Sequence, residues 1–293
     1  MTSTARQARQ HSVIGSGGLR LYAQETGPSD APPILFVHGW SQCHLSWKKQ
    51  LASPLADKYR LVAVDLRGHG ASELATDDAS YQKSEVWAED VAAVVSGLGL
   101  ERPILVGWSL GGYIVCDYLR HVHDAAPAGV VMVGSAVRLG PTPADLALIG
   151  NGWLDHFADA VSPDLATSLA AIRAFVDACV AGPLPAEDRE EMLCYNALVA
   201  PSVRAASGTH EPVDNSDILS SLDVPLMVAH GAADRVFRPE SVELVRAANP
   251  RARISVYDGV GHAPFLEDPD RFNRELDEFA SLAWTLPKEG PIR

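Results

Sequence analysis

Short apolar runs rich in β-branched residues recur along the chain and are separated by longer amphipathic stretches. Pro33-Ile34-Leu35-Phe36-Val37, Leu61-Val62-Ala63-Val64, Pro103-Ile104-Leu105-Val106 and Gly129-Val130-Val131-Met132-Val133 have the length and composition of buried strands. Pro225-Leu226-Met227-Val228-Ala229-His230 and Ile254-Ser255-Val256-Tyr257 read the same way. Val13-Ile14 and the run from Leu19 to Gln24 flank Gly15-Ser16-Gly17-Gly18, which predicts an antiparallel hairpin. Apolar residues at helical spacing predict helices over about 44–56, 82–98, 109–120, 239–248 and 269–282. Pro239 suits a first helical position, where its missing N–H costs nothing.

Strands alternating with helices predict an α/β fold, a doubly wound and mostly parallel eight-stranded sheet flanked by helices. The alternation stops between residues 138 and 215. That stretch is helical, carries Trp153, Phe157, Phe175, Met192 and Tyr195, and is interrupted at Gly182-Pro183 and Pro201. It is expected to be a helical cap inserted after the sixth strand, over the carboxyl ends of the strands. The domain division is therefore core over 1–137, cap over 138–215 and core again over 216–293.

The composition, 47% hydrophobic with net charge −13 and pI near 5.1, supports a sizeable core and argues against nucleic-acid or anionic-membrane partners. No apolar run reaches transmembrane length. Residues 1–10 are polar, with two arginines and no apolar centre, unlike a secretory signal. Cys43, Cys116, Cys179 and Cys194 have no metal-ligand spacing and suit free thiols in a reducing cytoplasm.

The chemistry centres on Gly107-Trp108-Ser109-Leu110-Gly111, which lies between a predicted strand and a predicted helix. A serine at such a sharp turn has its hydroxyl pushed outward, and the glycines avoid collisions of Cβ with neighbouring backbone. Serine is a poor nucleophile until a base removes its proton, so a histidine and an orienting carboxylate are needed. Asp234 follows the strand ending at His230, and His262 lies in Asp258-Gly259-Val260-Gly261-His262 after the next strand. The loop after the sixth strand, Gly134-Ser135-Ala136-Val137-Arg138, offers no carboxylate, which leaves Asp234 as the acid. Other groups have plainer readings. Asp65 braces a turn, Asp90, Asp117 and Asp223 are solvated, and His38 and His69 hold their loops. His121 and His123 point to different helix faces and make a poor metal site.

On these motifs, and on the chain order serine, aspartate, histidine, the chain resembles the α/β-hydrolase superfamily over nearly its whole length. The likeness is greatest to the branch of cofactor-free haloperoxidases, arylesterases and small lactonases. The resemblance implies that His38-Gly39-Trp40 is an oxyanion loop, with backbone N–H donors at Trp40 and Leu110. It implies a catalytic set of Ser109, Asp234 and His262 that requires no cofactor and no metal. Trp40, Trp108, Trp153, Phe157, Tyr195, Val236 and Phe265 are the candidate substrate-binding residues. Perhydrolysing members often carry proline after the tryptophan, whereas this chain has Ser41.

The expected function is hydrolysis of a small apolar carboxylic ester through an acyl-enzyme. Lactone, thioester or carbon–carbon hydrolysis, perhydrolysis and lyase chemistry remain open on the same residues. A ligand-binding receptor with vestigial hydrolase activity is the alternative from another class. The expected partner is a small-molecule substrate rather than a nucleic acid or membrane, and a homodimer is left open.

Overall fold

A computed structural model describes residues 8–285 apart from 124–125, 136, 141 and 210–211. Ala136 and most of the N-terminal stretch considered for targeting therefore lie outside the described residues. In chain order the strands are β1 (Arg9–Ile14), β2 (Arg20–Thr26), β3 (Pro33–Val37), β4 (Arg60–Val64), β5 (Ile104–Trp108) and β6 (Gly129–Val133). The short β7 (Arg138–Leu139) and β8 (Val213–Asp214) follow, then β9 (Leu226–Gly231) and β10 (Arg253–Tyr257). Eight of them form one sheet in the order β1-β2-β4-β3-β5-β6-β9-β10. β1 pairs antiparallel with β2, and β2 antiparallel with β4, while every other neighbour is parallel.

Every residue of β3, β5, β6 and β9 is buried, which accounts for their unbroken apolar sequences. The helices Ser84–Gly97, Leu110–His121, Ser241–Ala248 and Pro269–Thr285 connect and flank the sheet. The expected helix over 44–56 is instead broken into a 3₁₀ segment His44–Trp47, one α-turn Lys48–Leu51 and a second 3₁₀ segment Pro54–Asp57. The break has a local cause. The Ser53 side chain accepts the N–H of Leu55 at 3.2 Å, and Pro54 has no N–H to continue the ladder.

β6 and β9 are neighbours in the sheet but are separated in the chain by a helical insertion, whose ends pair as β7 and β8 through Arg138↔Asp214 and Leu139↔Val213. Its principal helices are Leu165–Ala178, Ala186–Leu198 and Pro201–Ser207. A backbone ladder joins the insertion to the loop after β9. Gly150 N–H donates to the Val236 carbonyl, Gly152 N–H to Arg235 and Arg238 N–H to Leu148, each at 2.8 Å. A Cβ at Gly150 would lie 2.1 Å from the Arg235 carbonyl oxygen, so this approach requires glycine. Among the described residues no helix is long and apolar enough to cross a membrane.

Candidate active site

Ser109 stands between β5 and the helix Leu110–His121 with φ 57° and ψ −120°. A non-glycine residue there is strained, and the surrounding bonds hold it in place. Its N–H donates to the Val133 carbonyl at 2.9 Å, and its carbonyl accepts from Gly112 N–H at 3.0 Å and Ser135 Oγ at 2.8 Å. The flanking glycines are sterically required. A Cβ at Gly107 would lie 2.5 Å from the Gly111 carbonyl oxygen, and one at Gly111 would lie 2.3 Å from that of Val37.

Asp234 and His262, on the loops after β9 and β10, meet at 2.8 Å between Oδ2 and Nδ1. The N–H groups of Val236 and Phe237 donate to the other carboxylate oxygen, Oδ1, at 2.8 and 3.0 Å. Burial opposes the Asp234 charge. The adjoining His262, hydrogen-bonded to it, and the nearby His230 nevertheless hold the carboxyl well below the usual carboxylate range. The His262 backbone is clamped, its N–H donating to the Cys179 carbonyl at 3.0 Å and its carbonyl accepting from Trp108 Nε1 at 2.9 Å. Its Nε2 is buried and has no hydrogen-bond partner among the described residues. Glu267 ties this loop to the helical insertion. Oε1 accepts from Gly261 N–H at 2.7 Å, while Oε2 accepts from Ala181 and Gly182 N–H at 2.8 and 3.2 Å.

The His38-Gly39-Trp40 loop lies against Ser109, since a Cβ on Gly39 would come within 3.1 Å of the serine Cβ. His38 Nδ1–H donates to the Gly39 carbonyl at 2.8 Å, and its bare Nε2 accepts Leu66 N–H at 3.0 Å. Full burial, with His69 nearby, pulls its pKa down to about 3. Neither Trp40 N–H nor Leu110 N–H is taken by another group among the described residues. Leu110 opens its helix, where backbone N–H groups are unused and the dipole favours negative charge. Ser41 is held at φ 61°, with its hydroxyl donating to the Asn196 carbonyl at 3.3 Å.

Asp65 accepts the backbone N–H of His44 at 2.6 Å, His44 Nδ1–H at 2.9 Å and Ala71 N–H at 2.8 Å, and so joins two loops. Burial alone would raise its pKa, but the His44 hydrogen bond and charge lower it. Cys43, His44 and Asp65 gather donor atoms within 4.8 Å. The carboxylate is already committed to these bonds, and burial pushes the Cys43 thiol far up, away from the thiolate a metal would need.

Aromatic residues join the helical insertion to the sheet domain around Trp40. Its ring contacts Trp153 at 4.6 Å and Phe175 at 5.2 Å, both edge-on, and Trp153 stacks on Phe157 at 4.9 Å. Trp108 meets Phe265 edge-on at 4.9 Å, and Phe265 stacks on Trp47 at 4.2 Å within the core. Tyr195 is buried, with its hydroxyl accepting from Ser46 Oγ at 3.3 Å. Val236 is buried and meets the site through its backbone, as donor to Asp234. Phe237, which periodicity did not single out, places its ring 5.8 Å from that of His262. His230, a strand end in the sequence, has its Nε2 3.2 Å from Asp234 Oδ2. Its spacing of four residues before the acid was the available signal.

The geometry agrees with the comparisons. A non-heme chloroperoxidase from Streptomyces lividans is 29% identical over 289 residues, covering 91% of this chain and 98% of that protein. A bifunctional esterase/perhydrolase from Acinetobacter calcoaceticus is 29% identical over 285 residues, with the same coverage. The crystal structure of an esterase from Rhodococcus sp. ECU1013 superposes with a TM-score of 0.86 at 34% identity, covering 93% of this chain and 98% of that one. The model of the alpha/beta hydrolase family matches residues 34–275. With the eight-stranded sheet and the strained serine after β5, this match makes the chain a member of the alpha/beta hydrolase family.

Proposed function

We propose that this hydrolase cleaves small carboxylic esters through an acyl-enzyme formed on Ser109. The observation that carries the reading is the strained Ser109 together with an Asp234–His262 pair whose Nε2 is buried and unpartnered. In this reading Nε2 accepts the Ser109 proton as the hydroxyl oxygen attacks the ester carbonyl. Asp234 keeps the other ring proton on Nδ1 and stabilises the imidazolium that forms. The free N–H groups of Trp40 and Leu110 receive the developing oxyanion. Losing one such donor typically costs about 100- to 1000-fold in rate. His262 then protonates the leaving alcohol and activates the water that releases the acid.

The aromatic cluster of Trp40, Trp153, Phe157 and Phe175 supports a compact apolar acyl group, and the esterase relatives support an ester. Lactones and thioesters are further acyl substrates for the same groups. Perhydrolysis is the second reading, favoured by the chloroperoxidase and esterase/perhydrolase relatives. It ranks behind because Ser41 at φ 61° adopts a backbone conformation that proline, fixed near about −65°, cannot share.

The deciding experiment treats the protein with a fluorophosphonate and measures its intact mass and the labelled peptide. One adduct on Ser109, with parallel loss of p-nitrophenyl acetate hydrolysis, is expected. Undiminished turnover in Ser109→Ala would remove the reading. Adding hydrogen peroxide and acetate in a monochlorodimedone assay with bromide ranks perhydrolysis against hydrolysis.

A further inference from the structure

Asp234 faces two imidazoles. Its Oδ2 accepts from His262 Nδ1 at 2.8 Å and lies 3.2 Å from Nε2 of His230, a fully buried residue of β9. The same Nε2 is 3.1 Å from the carbonyl oxygen of Phe237, while Nδ1 of His230 is buried without a partner among the described residues. Both neighbours of Nε2 are acceptors, so the ring proton belongs on Nε2, hydrogen-bonded to the Phe237 carbonyl with Asp234 Oδ2 beside it at 3.2 Å, and Nδ1 is bare. The carboxylate is thus held at each oxygen, Oδ1 by the N–H groups of its own loop and Oδ2 by His262, with the His230 ring beside it.

The geometry points to His230 as a positioning residue for the acid–base pair: its Nε2, anchored on the Phe237 carbonyl, lies 3.2 Å from Asp234 Oδ2 and offsets part of the charge that faces His262. The inference rests on the serine-hydrolase reading above and adds a group that tunes it. A donor at Oδ2 lowers the charge density available to a His262 imidazolium. Removing it leaves Asp234 a stronger counter-charge, so the acid limb of the rate profile moves to higher pH. A residue that only filled space would leave that limb where it is.

Other charged or titratable groups reach the pair from neighbouring elements. The Cys179 thiol comes from the cap, and burial followed by the Asp234 charge raises it well above its ordinary value. Arg235, beside the acid, is turned toward the Asp177 and Val180 carbonyls, and Glu267 binds the backbone of the His262 loop and of the cap. None of these is altered by a change at His230, so they stand as a constant background.

The test compares kcat, KM and the pH dependence of kcat/KM on p-nitrophenyl acetate for the wild type, His230→Met and His230→Gln, with Tm measured for each. His230→Met removes the donor at similar volume. It should lower kcat about tenfold, the scale of a lost polar contact with a buried charged group, and leave KM within about twofold. Its acid limb should move up by about half a pH unit or more. His230→Gln, which returns an N–H near the position of Nε2, should recover most of both changes. An unmoved limb in His230→Met, or equal damage in the two variants, overturns the inference.

If His230→Met does not fold, ¹⁵N spectra of the histidine-labelled wild type decide. A proton on Nε2 with a bare Nδ1 is expected for His230, and a proton on Nδ1 overturns the proposal. Fluorophosphonate labelling of the wild type separates the two levels of failure. Without an adduct on Ser109 the hydrolase mechanism falls, and this inference with it. With an adduct and an unmoved His230→Met profile, this inference alone falls.

Discussion

Trp40 Nε1 donates to the carbonyl oxygen of Arg204 at 2.8 Å, so the candidate oxyanion loop is fastened to the cap through one buried hydrogen bond. The Arg204 side chain is only 2% exposed and is met entirely by neutral acceptors. Nε donates to the Ala160 carbonyl at 2.9 Å, Nη1 to those of Asn196 and Val199 at 3.1 and 2.6 Å, and Nη2 to Ser168 Oγ at 2.6 Å. One planar cation thereby gathers several cap segments, and Trp40 docks on its backbone.

Arg204→Lys should therefore not behave as a conservative change, because one ammonium cannot reach all of these acceptors in the geometry of the guanidinium. Several buried oxygens lose their donors, and a stability loss of about 2 kcal/mol or more is expected. Urea unfolding gives the loss, and limited proteolysis locates it, with faster cleavage expected within the cap. Wild-type stability in Arg204→Lys would show that these carbonyls find other partners.

Ser109→Gly and Ser109→Ala should both lose ester hydrolysis but should separate in stability. At φ 57° a side chain carries strain that glycine does not, so Ser109→Gly should gain about 1 kcal/mol. Ser109→Ala keeps the Cβ and gains nothing from relaxation at that torsion. Equal urea midpoints for the two variants would mean that the elbow is not strained.

The elbow was legible because its strain writes itself into the sequence, with small residues required at Gly107 and Gly111 on either side of a serine. The central strands were legible because burial on both faces leaves an unbroken apolar run. The remainder depends on partners distant in the chain. Arg204 sits in the short helix Pro201–Ser207, and its side chain is captured largely by backbone carbonyls, which leave no mark in sequence. The ladder between Gly150–Gly152 and Arg235–Arg238 is likewise backbone pairing outside any predicted strand. His230 read as a strand end because its contact with Asp234 Oδ2 arises only when the loop after β9 folds back.

Asp234→Asn and Asp65→Asn should differ in kind. Asp234 bonds the Nδ1–H of His262, and an amide there favours the wrong imidazole tautomer. A loss of about 10⁴ in kcat with little change in Tm is expected if the pair works as in serine proteases. Asp65 accepts N–H groups from His44 and Ala71 in two different loops, so its amide should cost mainly stability. Kinetics and thermal unfolding of both variants provide the check, and exchanged phenotypes would move the acid to Asp65.

His38 and His69 should make the fold sensitive to acid. Both are fully buried, and burial lowers their pKa values from 6.5 to about 3 and about 4 respectively. His38 is additionally fixed in the bare-Nε2 form by Leu66 N–H, and the two rings lie 5.2 Å apart, so charging one penalises the other. In the unfolded chain both bind protons near pH 6.5, whereas in the folded chain they do not until pH 4 or below. Between those values the unfolded state holds more protons, so stability falls as pH falls. Each histidine contributes a slope of up to about 1.4 kcal/mol per pH unit. Their stabilisation is complete above pH 6.5 and is lost as pH drops toward 4. Asp234, also lowered, acts in the same direction but below the ordinary carboxyl value of 3.8, outside this window. Urea unfolding from pH 7.5 down to 4.5 should show this decline. His69→Asn keeps a donor for the Arg67 carbonyl, which Nδ1 meets at 2.8 Å, and cannot titrate. Its slope should be shallower by about one proton. An unchanged slope would mean that His69 does not stay uncharged in the folded protein as its burial requires.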